Sequence, residues 1–116
     1  VYDSLIAGDI VEKLELSKEK YDLFVALDVF IYIGDVTSIF NAVRKCCNKN
    51  SYFIFSIETQ KDKGYSLLKS SRYAHSEKYI MEQTSGIFDL VDSQNVRLRK
   101  EGKNWVNGKV FTFRAK

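Results

Sequence analysis

The chain contains no proline, one histidine, and two cysteines that stand side by side, Cys46 and Cys47. A bridge between adjacent cysteines strains the peptide joining them, and the pair lacks metal-ligand spacing, which argues against a disulfide framework and a cysteine-built metal site. They read as reduced helix residues of a cytoplasmic protein. The six glycines never fall in a G-x-G arrangement, so a glycine-rich cofactor loop is missing. No apolar run is long enough to span a membrane, because Asp28 and Gly34–Asp35 interrupt the longest one. No basic-then-apolar leader stands at the amino end, and internal repeats and low-complexity tracts are absent. The formal net charge of +3 is too small to demand a nucleic-acid partner. What remains is ordinary for one globular domain: 116 residues, 45% hydrophobic and 28% charged, enough for a single core.

The strongest pattern is "YDLFVALDVFIYIGD", residues 21–35, where apolar, β-branched and aromatic residues surround Asp28. That composition predicts a strand over Asp22–Tyr32 buried on both faces, where an unpaired carboxylate is costly. Asp28 then belongs near the carboxyl end of the strand, where the chain opens to a site. The plainer alternative pairs it with a backbone amide or a lysine. Upstream, Ser4–Val11 reads as a shorter strand ending near Asp9, followed by a helical or irregular connector, "EKLELSKEKY". Downstream, Val36, Ile39, Phe40, Val43 and Cys47 fall at helical spacing, with Asp35 able to cap the helix and Arg44 and Lys45 near its end. "SYFIFSIE" is a third strand, completing a βαβ unit.

The polar stretch Thr59–His75 reads as a loop over one sheet edge. Ser76 is placed to cap a second helix, "EKYIMEQTS", with Gly86 just past its end. "FDLVDSQNVRLRK" and "GKVFTFRAK" then predict an antiparallel pair with one wet face, joined by "EGKNWVNG". Its last stretch, residues 97–116, carries Arg97, Arg99, Lys100, Lys103, Lys109, Arg114 and Lys116 against Glu101 alone, with Trp105 in the expected loop. A basic hairpin with one aromatic invites an RNA-binding reading; a solvated cationic face is the simpler one.

That order of elements, with "ALDVFIYIGDV" and "SRYAHS", resembles the carboxyl-terminal part of a class I S-adenosylmethionine-dependent methyltransferase. The similarity is closest to small bacterial methyltransferases found attached to tetratricopeptide repeats, which carry "ADVLVYIGDL" and "GRYAHS". The resemblance covers nearly the whole chain. It implies a truncated Rossmann-like α/β fold of about five strands, a parallel core closed by an antiparallel hairpin, and two to three helices. It implies S-adenosylmethionine as cofactor, bound at the carboxyl ends of the parallel strands. By resemblance, Asp9 meets the adenine amino group and Ile10 offers its backbone amide to the same ring. Asp28 and Val29 lie beside the methionine portion, Tyr32 and Ile33 line the pocket wall, and Arg72, Tyr73 and His75 face the methyl acceptor. His75 is also the only candidate general base, and equally a loop residue before a helix cap.

The departure matters as much. A complete family member opens with a strand and a glycine-rich loop, then an acidic residue that holds the ribose, and this sequence supplies neither. The chain begins on Val1 rather than methionine and reads as a fragment or a trimmed chain, with half of the cofactor pocket missing and cofactor binding expected to be weak or absent. Without the family's first two strands, Ser4–Val11 is expected to pair directly with Asp22–Tyr32; a dimer through the exposed sheet edge is the alternative. Two functions follow: a methyltransferase whose acceptor, small molecule or protein, is not readable here, or a degenerate, non-enzymatic interaction module.

Overall fold

The computed structural model describes residues 10–14, 20–27 and 29–116. Besides the helical residues 10–14, six strands and two helices are complete among the described residues: β1 (Tyr21–Ala26), α1 (Thr37–Cys46), β2 (Cys47–Thr59), β3 (Tyr65–Leu67), β4 (Tyr73–His75), α2 (Glu77–Thr84), β5 (Phe88–Glu101) and β6 (Asn104–Ala115). A 3-10 turn, Phe30–Tyr32, follows β1.

β2 is the spine. On one edge it pairs antiparallel with β6, from Tyr52↔Arg114 to Glu58↔Gly108. On the other it pairs parallel with β1 up to Ala26↔Phe55, and then with β4 at Glu58↔Ala74 and Thr59↔His75. β5 and β6 form the long closing hairpin, and β3 extends the sheet beyond β4. The expected parallel core with a terminal antiparallel hairpin is present, with one strand more than predicted.

Because successive side chains of a strand alternate faces, Phe53, Phe55 and Ile57 of β2 and Phe111 and Phe113 of β6 all point to one side. All five are fully buried. Their rings touch: Phe53 and Phe55 lie 4.8 Å apart between centroids, and Phe55 stacks on Phe113 at 5.6 Å. Onto this face packs the apolar stripe of α1, with Ile39, Phe40 and Val43 buried as the spacing predicts. The N-cap of α1 is Val36, which has no side-chain cap; Asp35, one residue earlier, accepts from the Thr37 amide at 3.0 Å, and Arg44 and Lys45 end the helix. Ser76 caps α2 by accepting from the Tyr79 amide at 3.0 Å, and Gly86 stops it in the left-handed region at φ +84°.

The opposite face is different. Leu23 and Val25 of β1 are 56% and 54% exposed, and Tyr52 beside them is 44% exposed. No described helix covers them, and the outer edge of β1 pairs with no described strand.

Four sequence expectations change. The strand over Asp22–Tyr32 ends at Ala26, because Phe30 folds back to place its ring against Phe40 (5.5 Å) and Phe55 (5.2 Å) instead of continuing the ladder. Ile10 and Val11, expected on the Ser4–Val11 strand, are helical over residues 10–14, and with Leu14 they pack on the core; Ser4–Asp9 lie outside the described residues. The stretch Thr59–His75 is not all loop, since it contains β3 and β4. Cys46 and Cys47 are free and buried, the first ending α1 and the second opening β2 rather than extending the helix. No helix among the described residues is long and apolar enough to cross a membrane.

Candidate functional site

The carboxyl ends of the parallel strands β1 and β2 fall together with the turn before β4 and the tip of the β5–β6 hairpin. Two of the candidate cofactor residues meet here. Ile10 and Val29 line the same apolar pocket, about 200 Å³, under residues 10–14 and against Phe24, Phe30 and Phe53. Tyr32 is half exposed and lines a second pocket, about 220 Å³, with Ile31, Arg72, Leu98 and Arg99. Asp9 and Asp28 lie outside the described residues. Ile33, expected on a pocket wall, is instead buried in the main core.

The second pocket is edged by a chain of charges. Arg72 Nη1 donates to Glu101 Oε1 at 2.8 Å. The same oxygen lies 3.5 Å from Arg99 Nε, and Arg99 Nη2 donates to Glu58 Oε2 at 2.9 Å. The four residues come from the ends of β2 and β5 and from the turn before β4. Their exposure is unequal. The Glu58 side chain is 11% exposed and Arg99 21%, whereas Glu101 at the hairpin tip is 45% exposed. Arg99 Nε–H is buried and makes no hydrogen bond. Glu58 and Glu101 also border an open groove of about 550 Å³ beside Trp105.

His75 goes elsewhere. It is fully buried on β4, and its Nε2–H donates to the carbonyls of Ile33 (2.8 Å) and Gly34 (3.0 Å). Two carbonyl acceptors fix the proton on Nε2 and leave Nδ1 bare, without a partner. Burial lowers its pKa below 6.5, although both carbonyls oppose the shift. The side chain therefore pins the Gly34 turn to β4 and does not reach solvent as a general base. Tyr65 and Tyr73 close over the same turn so tightly that a Cβ on Gly34 would stand 2.4 Å from the Tyr65 ring and 2.8 Å from that of Tyr73. Next to it, Thr37 holds the Asp35 carboxyl below its usual value, and the Asp35 carboxylate also accepts from the Tyr79 hydroxyl at 3.3 Å.

Of the three acceptor-facing candidates, then, the site keeps Arg72, while Tyr73 packs on Gly34 and His75 enters the core. Sequence reasoning missed Glu58, Arg99 and Glu101 as a group. The available signal was Glu101, the lone acid among the seven cations of residues 97–116. Trp105, expected in the hairpin loop, sits on β6 opposite Lys100, with Arg97 and Lys100 over its ring at 5.5 and 5.6 Å. Among the described residues no cluster of three acidic, cysteine or histidine side chains could hold a metal.

The fit to the expected cofactor is one-sided. The pocket of Ile10, Val29 and their neighbours is lined by apolar side chains throughout, which suits a flat heteroaromatic ring. No charged side chain lines it to meet a methionine zwitterion, and no described carboxylate stands there for a ribose.

No family model matches the chain, and no curated protein matches it in sequence. Solved structures do match. The N-methyltransferase NodS of Bradyrhizobium japonicum, crystallised with S-adenosyl-L-homocysteine, aligns over 88% of this chain and 50% of its own at 16% identity and a TM-score of 0.64. The 1,6-didemethyltoxoflavin-N1-methyltransferase of Burkholderia thailandensis aligns over 89% and 48%, at 19% identity and 0.67. TehB of Haemophilus influenzae aligns over 91% and 38%, at 19% identity and 0.65. The chain spans half or less of the length of these three structures. Over that span, its fold is that of the class I S-adenosylmethionine-dependent methyltransferases.

Proposed function

We propose that this chain is the acceptor-side portion of an S-adenosylmethionine-dependent methyltransferase. The observation that carries the reading is the meeting of Tyr32 with Arg72 and Arg99 in one pocket beyond the carboxyl end of β1, within a sheet closed by a reversed hairpin. When bound, S-adenosylmethionine supplies a methyl group already activated on a sulfonium, so the protein's part is chiefly alignment. In this reading Ile10, Val29 and Tyr32 form one wall of the cofactor site, and Arg72 lies on the acceptor side. The chain by itself holds the cofactor weakly or not at all, because the pocket of Ile10 and Val29 has no polar lining among the described residues.

Calorimetric titration of the chain with S-adenosylhomocysteine tests the incomplete pocket. The expected result is no saturable heat at micromolar ligand; clear micromolar binding would mean the pocket is complete. Transfer of labelled methyl from S-adenosylmethionine by the full-length gene product tests the reaction class. A second reading, a non-enzymatic interaction module, draws on the exposed Leu23, Val25 and Tyr52 and on an edge of β1 that pairs with no described strand. It predicts a dimer in solution and no methyl transfer by any form of the protein.

A further inference from the structure

We infer that the pocket of Tyr32, Arg72, Leu98 and Arg99 is a carboxylate site, and that Glu101 pairs with its two arginines in the absence of ligand. One oxygen of Glu101 stands between two guanidinium groups, 2.8 Å from Arg72 Nη1 and 3.5 Å from Arg99 Nε. A carboxylate between two arginines is the geometry those side chains recognise, since each presents several N–H donors in a planar fork.

Three features make Glu101 the exchangeable member. It is the most exposed of the four charges, at 45%, and it sits at the hairpin tip beside Gly102. Its contact with Arg99 is too long to satisfy the buried Nε–H, which is left without a hydrogen bond. A buried donor in that state is unfavourable, and a better-placed acceptor would satisfy it. Glu58, by contrast, is held by Arg99 Nη2 at 2.9 Å and is nearly enclosed, so it fixes the guanidinium and does not leave.

The rest of the pocket describes the ligand. Its volume is about 220 Å³, and its other walls are Ile31, Leu98 and the half-exposed Tyr32. The fitting molecule is a small acid with an apolar or aromatic body, its carboxylate between Arg72 and Arg99 and its body against Tyr32 and Leu98. That this acid is the methyl acceptor rests on the methyltransferase reading; the carboxylate site does not.

The test is a titration of the chain with sodium benzoate at low salt, followed through the arginine Nε–Hε resonances by heteronuclear NMR. Benzoate is expected to shift the Arg72 and Arg99 signals saturably, and benzamide is not. Glu101→Gln is expected to tighten benzoate binding several-fold, because the internal competitor loses its charge. Arg72→Gln is expected to weaken it about tenfold with the backbone amide spectrum unchanged. The inference is overturned if benzoate produces no saturable shift, if benzamide or inorganic phosphate binds as well, or if Glu101→Gln leaves the affinity unchanged. Failure here leaves the methyltransferase reading standing, while benzoate binding without methyl transfer by the full-length protein refutes that reading alone.

Discussion

The two faces of the sheet differ more than their residue types suggest. On one, Phe53, Phe55, Phe111 and Phe113 meet α1 and reach at most 1% exposure. On the other, Leu23, Val25 and Tyr52 are equally apolar yet stand half in water. Both sets obey strand alternation, so the pattern in the sequence is the same. What separates them is a covering layer, and that depends on which helices return to which side. Hydrophobic residues identify a face able to be buried; burial itself is a property of the whole topology.

Truncation should expose the contrast most sharply. Phe55→Ala removes a ring that touches Phe30, Phe40, Phe53, Phe111 and Phe113, and it should cost about 3–5 kcal/mol in urea unfolding. A loss under about 1 kcal/mol would mean the covered face is not the core. The next effect is graded and follows pH. His75 is buried neutral with its pKa depressed, so below about 6.5 the unfolded chain binds the proton that the folded state resists. Stability should therefore fall as pH drops from 6.5 toward the depressed value, then level off. His75→Gln should flatten that segment of the curve; an unchanged slope would show that another group is responsible. The smallest effect belongs to the bare face. Val25→Thr keeps a β-branched residue at a site 54% exposed and should change stability by no more than about 0.5 kcal/mol. A loss comparable to that of Phe55→Ala would mean that this face is covered in solution.

Local structure was legible in the sequence. The stripe of α1, the Asp35–Thr37 hydrogen bond, the Ser76 cap, the stop at Gly86 and the closing hairpin all rest on residues within a few positions of one another. The end of β1 was not, because Phe30 leaves the ladder for rings on α1 and β2. Nor was the fate of His75, whose two acceptors lie 42 and 41 residues upstream. The charge chain was hidden for the same reason: Glu58 and Arg99 are 41 residues apart, and Arg72 and Glu101 are 29. Arg72 was named on its motif, but its partners come from pairings that no local window contains. Asp9 and Asp28, cofactor-facing only by the resemblance, lie outside the described residues.

The position of Trp105 has a practical consequence. It is the only tryptophan of the chain, and it lies near the hairpin tip, away from the phenylalanine cluster, with Arg97 and Lys100 against its ring. Its fluorescence is thus a native optical gauge of hairpin fraying, separate from circular dichroism of the core. Because its neighbours are cations at a wet surface, that gauge should respond to ionic strength before the domain unfolds.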